Sequence, residues 1–214
     1  MQPGSGGPRR YLPEHLTPLF FTDAYATLTP EQQDRYNRLQ GLYFNEHVAF
    51  FEVAVGRNVL TALLADPALG HLQDELRRFR SDEARHTSMF REWNRRADPV
   101  LYGHRDAHFV RIPKPLSVPW DWITRRPADF PMLIWLMLFQ EERALYYARE
   151  ILRQQDVLDP SFVVLHRVHL ADEVHHVRWD EEVLDILWRR AGTWRRRMNA
   201  RLLGWMMREF FGAA

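Results

Sequence analysis

The sequence predicts an all-α chain: four long helices in two hairpins, a proline-rich crossover between the hairpins, and a fifth helix at the end. Three observations predict it. Apolar residues recur at helical spacing over four long stretches. Prolines stand at the ends of those stretches and cluster in residues 99–128. Strand-like alternation is nowhere convincing.

Each element follows from local signals. Thr29, Pro30 and Gln32 read as N-cap, first helical residue and capping-box partner of a helix that runs to about Ala65, where Asp66–Pro67 stops it. A second helical pattern covers about Pro67 to Ala97 and ends before Pro99. The stretch "IPKPLSVPWDWITRRP" marks a long crossover that should carry only short helical turns. A third helix spans about Ala128 to Gln155, and a fourth, N-capped by Asp159, reaches Arg190. The fifth, Thr193 to Phe210, is basic, and its apolar side (Trp194, Met198, Leu202, Trp205, Met206) suits packing or a homodimer face. The expected organisation is a single domain: residues 1–28 extended over the surface, 30–190 the bundle core, 193–211 the appended helix.

Composition sets outer bounds. A chain of 214 residues can bury a sizeable core. A net charge of +1 gives no field that would draw nucleic acid. The absence of cysteine excludes disulfides, zinc ribbons and thiolate-bound clusters. The N-terminus has no apolar stretch of signal-peptide length, and the longest apolar run, Met132 to Phe139, is too short to span a bilayer, so the expectation is a soluble, cytoplasmic protein.

One pattern carries chemistry. "SDEARHTSMF" at residues 81–90 and "ADEVHHVRWD" at residues 171–180 both contain Asp-Glu-x-x-His. With 28 Asp plus Glu and 10 His in the chain, the pattern should arise by chance ~0.04 times. Glu83 and His86 share a helix face, as do Glu173 and His176. The two helices are the second members of the two hairpins, so a pseudo-twofold axis can bring the motifs face to face. Carboxylate-bridged dinuclear sites in four-helix bundles are built this way, with one more Glu from each remaining helix. On the first helix Glu46, set in an apolar stripe, is the expected ligand, and Glu52, well round the helix from it, is the alternative. On the third helix Glu141 and Glu142 both have apolar neighbours, and periodicity does not choose between them.

Further residues follow from phase. Asp82 and Asp172 precede the motif glutamates and can hold the Nδ1–H of the facing motif's histidine, Asp82 with His176 and Asp172 with His86; the bland reading is two helix-surface aspartates. His169 lies four before Glu173 and seven before His176, on one face with both, as a further ligand or a satisfied core histidine. Two divalent ions and four glutamates sum to a neutral core. Carboxylates with imidazoles suit iron, and manganese is compatible.

These motifs resemble the ferritin-like di-iron carboxylate superfamily. The arrangement H-x-x-x-E-x-x-H, His169 to His176, more narrowly resembles the p-aminobenzoate N-oxygenase (AurF-like) family over residues 30–190. The resemblance implies a ferritin-like bundle with the metal ligands Glu46, Glu83, His86, Glu142, His169, Glu173 and His176, Glu142 being taken over Glu141 by its spacing from the extra histidine. It also implies two iron ions, O2, and N-oxygenation of an arylamine-type substrate through a peroxo-di-ferric species; an external electron donor is expected because the chain has no redox cofactor of its own beyond the metals. The rivals are a ferroxidase or peroxidase, another di-iron hydroxylase, and a metal-free scaffold. A radical-generating reductase subunit would carry tyrosine where this chain has Phe90.

Overall fold

The structure is a computed structural model that describes residues 9–211. Its long helices are α1 (Pro30–Leu64), α2 (Gln73–Ala97), α3 (Lys114–Thr124), α4 (Met132–Arg153), α5 (Pro160–Arg190) and α6 (Thr193–Phe211). The architecture is an all-α, ferritin-like bundle: α1 pairs with α2, α4 pairs with α5, and the pairs close on each other.

The starts of the helices are the ones their capping residues dictate. The Thr29 hydroxyl accepts from Gln32 N–H at 3.3 Å, and Gln32 Oε1 accepts from Thr29 N–H at 2.8 Å. Asp159 Oδ1 accepts from Ser161 N–H and Phe162 N–H at 2.9 and 3.2 Å, and Pro160 costs nothing at the first helical position. By length and composition α1 is apolar enough to cross a membrane, but half of its most apolar window is buried within the bundle, where it is a core helix.

Two details depart from the expected layout. The crossover holds a three-turn helix, α3, with Pro119 inside it. It forms because it has something to pack on: Trp120 Nε1 donates to Ala54 O at 2.9 Å, and Asn58 Nδ2 donates to Asp121 Oδ1 and Thr124 Oγ1 at 3.0 Å each. Ala54 belongs to a π-helical turn of α1, Glu52–Gly56. Such a turn misaligns backbone carbonyls, and Trp120 takes one of them.

The N-terminal segment is the second departure. Residues 1–8 of the expected surface extension lie outside the described residues, but residues 9–28 do not lie loosely over the surface. Tyr11, Leu12 and Leu16 are buried. Asn37 Oδ1 accepts from the N–H groups of Tyr11 and Leu12 at 2.8 and 3.1 Å, and its amide donates to Leu12 O at 2.7 Å. The Tyr11 ring stacks on Phe162 and meets Trp93 edge-on. Three aromatic and aliphatic side chains among the Gly, Pro and Arg were enough to pull the segment into the core.

The apolar core is in two parts. One joins Val55, Val59, Leu60 and Phe79 to Leu133, Met137, Val183 and Leu187; α6 covers it with Met198, Leu202 and Met206. The other joins Leu12, Leu42, Phe44 and Val48 to Phe90, Ile151 and Phe162. α6 also caps the start of α4, Asn199 Oδ1 accepting from Met132 N–H at 3.1 Å, while Trp194 and Trp205 stay exposed.

Candidate metal centre

Between the two apolar parts lies a layer of buried carboxylates and imidazoles. Glu83 and His86 project from α2, Glu173, His176 and His169 from α5, and Glu52 from the π turn of α1. Glu83, His86, Glu173 and His176 each offer a ligand atom within 4.8 Å of one another, and so do Glu52, His86 and His169. Glu173 faces both halves: its Oε1 is 3.3 Å from His86 Nδ1 and 2.7 Å from His169 Nε2, and its Oε2 is 3.4 Å from His176 Nδ1. Glu83 Oε1 is likewise 3.3 Å from His176 Nδ1 and 3.8 Å from His86 Nδ1. Glu52 Oε1 lies 3.9 Å from His86 Nδ1 and 3.7 Å from His169 Nε2. Both DExxH imidazoles therefore turn Nδ1 inward.

The outward nitrogens meet the aspartates. His86 Nε2 is 3.0 Å from Asp172 Oδ2, a hydrogen bond, and His176 Nε2 is 3.5 Å from Asp82 Oδ2. The ring nitrogen is the reverse of the expected one: Nε2 faces the aspartates and Nδ1 the glutamates.

Two expected ligands are elsewhere. Glu46 is buried, but its carboxylate is spent on the crossover: Oε1 accepts from the N–H groups of His108, Phe109 and Val110 at 2.8, 2.6 and 2.7 Å, and Oε2 accepts from Tyr102 O–H at 3.0 Å. Glu46 and Glu52 cannot share a helix face, and it is Glu52 that turns inward, its Oε2 accepting from Thr87 O–H at 2.6 Å. On α4, Glu142 is exposed and Glu141 is buried. Glu141 lines a small cavity with Glu52, Gly56, Glu83, Met137 and Gln140. The spacing signal that favoured Glu142 lost to the buried stripe Ile134, Met137, Glu141, Ala144, Ala148, Ile151, which advances by threes and fours and includes Glu141.

Sequence reasoning also passed over Thr87, Gln140 and Asp180. Asp180 extends the α5 stripe His169, Glu173, His176 by four, is buried, and its Oδ2 has no partner. His166, on the same stripe, is a core residue: Nε2 lies 3.1 Å from Asn45 Oδ1 and burial holds it down at about 3. His47 is also neutral, at about 3, through burial and the nearby Arg143.

The electrostatics are those of carboxylates and imidazoles crowded together out of water. Burial, then the neighbouring Glu83, holds Glu52 well above the usual carboxylate range; burial likewise raises Glu173. Burial, then the other histidines, keeps His169 well below its ordinary value. For His86 and His176 burial opposes the charged form, but the surrounding carboxylates outweigh it and raise both. Glu52 Oε1, Glu83 Oε1, both oxygens of Glu173, His86 Nδ1 and both nitrogens of His176 have no hydrogen-bond partner. Buried polar atoms are ordinarily paired, so a set of unpaired donor atoms converging on one layer fits cations placed among them. Hard carboxylate oxygens with imidazole nitrogens suit a pair of first-row divalent ions.

Fold and site together define a ferritin-like bundle with a buried carboxylate–histidine cluster able to hold metal. Residues 5–214 match the family described as P-aminobenzoate N-oxygenase AurF, and the chain belongs to that family of di-iron oxygenases. No curated protein and no solved structure matches the chain.

Proposed function

We propose that the chain is a non-heme di-iron oxygenase that uses O2 to oxygenate the nitrogen of an arylamine-type small molecule, with electrons from an external donor. The observation that carries this reading is the convergence of buried, unpartnered carboxylate and imidazole atoms in a chain of the N-oxygenase family. Glu52, Glu83, His86, Glu141, His169, Glu173 and His176 would hold two ions, and Glu83 and Glu173 each lie within 4 Å of both His86 and His176. Bound iron supplies the electrons and open coordination positions that O2 reduction requires; manganese suits the same donors.

The protein's own part is positioning and exclusion. Thr87 fixes the carboxylate of Glu52. Phe79 stacks on His176 with ring centroids 4.0 Å apart, and Phe90 meets His169 edge-on at 4.8 Å, so apolar rings lock both imidazoles and keep water out. The cavity beside Glu52, Glu83 and Glu141 is where small molecules would approach. Both side-chain polar atoms of Gln140 are unpartnered there and would meet a polar group of the substrate. Met137, in the same wall, is a flexible side chain that can give way to an aromatic ring. A cytoplasmic setting, with its supply of reductant, suits a cysteine-free enzyme of this kind.

The smallness of that cavity, about 10 Å³, favours a peroxidase or ferroxidase as the second reading, since such an enzyme admits only O2-sized molecules. One experiment separates the two. The protein is loaded anaerobically with ferrous ion, O2 is admitted, and the visible spectrum is followed with and without an arylamine, with product mass as a second readout. N-oxygenation requires a transient that the amine discharges and a product heavier by oxygen. A transient that decays at the same rate with or without the amine, and leaves the amine's mass unchanged, would reject it in favour of the second reading.

A further inference from the structure

The two motifs are not equivalent one residue before their histidines. The first has Arg85 there and the second His175. His175 is exposed and stacks on Trp179. Arg85 instead reaches across the helix interface. Its Nη2 donates to Asp82 Oδ1, on its own helix, at 3.0 Å, and to Asp172 Oδ2, on α5, at 2.8 Å. Those aspartates are the ones that face His176 and His86. A single guanidinium nitrogen, on a side chain 47% exposed, thus holds two aspartates, one hydrogen-bonded to His86 and the other 3.5 Å from His176, at opposite halves of the candidate centre.

We propose that Arg85 is a shared positioning residue for both metal positions, holding Asp172 against His86 and Asp82 against His176 so that both imidazoles present Nδ1 inward. An aspartate can orient an imidazole only if the aspartate itself is held. Asp82 and Asp172 keep 15% and 18% of their side-chain surface exposed, so both can turn toward water. Among the described residues the other arginine near either one is Arg78, whose Nε is 4.0 Å from Asp82 Oδ2, outside hydrogen-bonding range. No equivalent second arginine is needed in the other motif, because Arg85 already spans both helices. His169, whose Nε2 faces Glu52 and Glu173, stands outside this arrangement.

This inference rests on the reading of the cluster as a two-ion site, and the test separates the two claims. Wild-type protein is titrated anaerobically with ferrous ion against a chromophoric chelator; failure to bind two ions would overturn the site reading and the clasp with it. Given two ions in the wild type, Arg85→Gln is expected to weaken both by about tenfold or more, the size found when partners of metal-bound histidines are removed. Asp82→Asn is expected to weaken one ion and Asp172→Asn the other. Adding Arg85→Gln to the Asp82→Asn/Asp172→Asn pair should cost nothing further, since the carboxylates it holds are gone. The melting temperature of metal-free Arg85→Gln reports folding and should stay close to wild type, as for other exposed ion pairs. Unchanged affinities in Arg85→Gln, weakening of one ion alone, or a full additional loss in the triple variant would each overturn the clasp.

Discussion

Glu46 and Glu52 stand six positions apart on α1, both buried, and physical chemistry gives them opposite tasks. Glu46 collects three backbone N–H groups and a tyrosine hydroxyl from the crossover, so its charge is fully met by hydrogen bonds. Glu52 keeps Oε1 unpartnered among other carboxylates. An apolar stripe tells that a carboxylate is buried, not who satisfies it: the partners of Glu46 come from a segment some sixty residues away that no local pattern announces. Glu141 and Glu142 both have apolar neighbours in the sequence, and it is burial in the folded chain that separates them, whereas Asp180 was legible as the next step of the α5 stripe. The repeated DExxH and the in-phase His169 were plain for the same reason, that helical phase is local information. The two fates give a clear expectation. Glu46→Ala should destabilise the protein by about 3 kcal/mol, because hydrogen bonds to a charged acceptor are lost and the N–H groups of residues 108–110 are left short of partners. Chemical denaturation measures that loss, and the count of ferrous ions bound should remain at the wild-type number. A drop in ion count with no loss of stability would return Glu46 to the metal.

At the scale of elements, the four bundle helices were readable from caps, prolines and period, whereas the pieces that hold them in register were not. The π turn Glu52–Gly56 has no proline to mark it, and nothing local tells that Glu52 opens such a turn; it shows itself through Ala54 O meeting Trp120. Gly56 lies in that turn, and a Cβ there would come to 3.5 Å from Glu83 Oε2, so a larger side chain would push on the centre. The N-terminal segment was misjudged from its composition, because Tyr11 and Leu12 are ordered by Asn37 and by the glycine beneath them. A Cβ on Gly41 would lie 2.6 Å from Tyr11 Cβ, a distance that two carbons cannot share. Gly41→Ala should therefore lift the segment from α1 and cost about 1–3 kcal/mol, the usual size of overpacking. Limited proteolysis reads the lift directly, as faster cutting near residues 9–16. An unaltered cleavage pattern and melting temperature would mean that the segment contributes nothing to the core.

The whole molecule places a charged layer between two apolar ones, and this arrangement makes its stability depend on pH in a way that metal should cancel. From about pH 7.5, a unit above the ordinary histidine value, the unfolded chain has lost most of its imidazole protons, so His47, His166 and His169, which burial lowers, are neutral in both states. They add no slope there. Other groups do, and four of them are the clearest. Glu52 and Asp180 are held well above the carboxylate range, first by burial and then by neighbouring carboxylates. His86 and His176 are raised by the carboxylates around them in spite of burial. Each of the four binds more proton in the folded chain than in the unfolded one at these pH values, so folding stability must fall as pH rises. Cations in the layer replace those protons as counter-charge, and their affinity rises as the protons leave. The expected outcome is a melting temperature that declines from about pH 7.5 to about 9 in metal-free protein, and declines less or not at all when ferrous or manganous ion is bound. Glu52→Gln removes one of the titrating carboxylates and should flatten the metal-free curve in part. Parallel curves with and without metal would mean that the ions bind outside the layer, and would leave its unpaired carboxylates without a purpose in the fold.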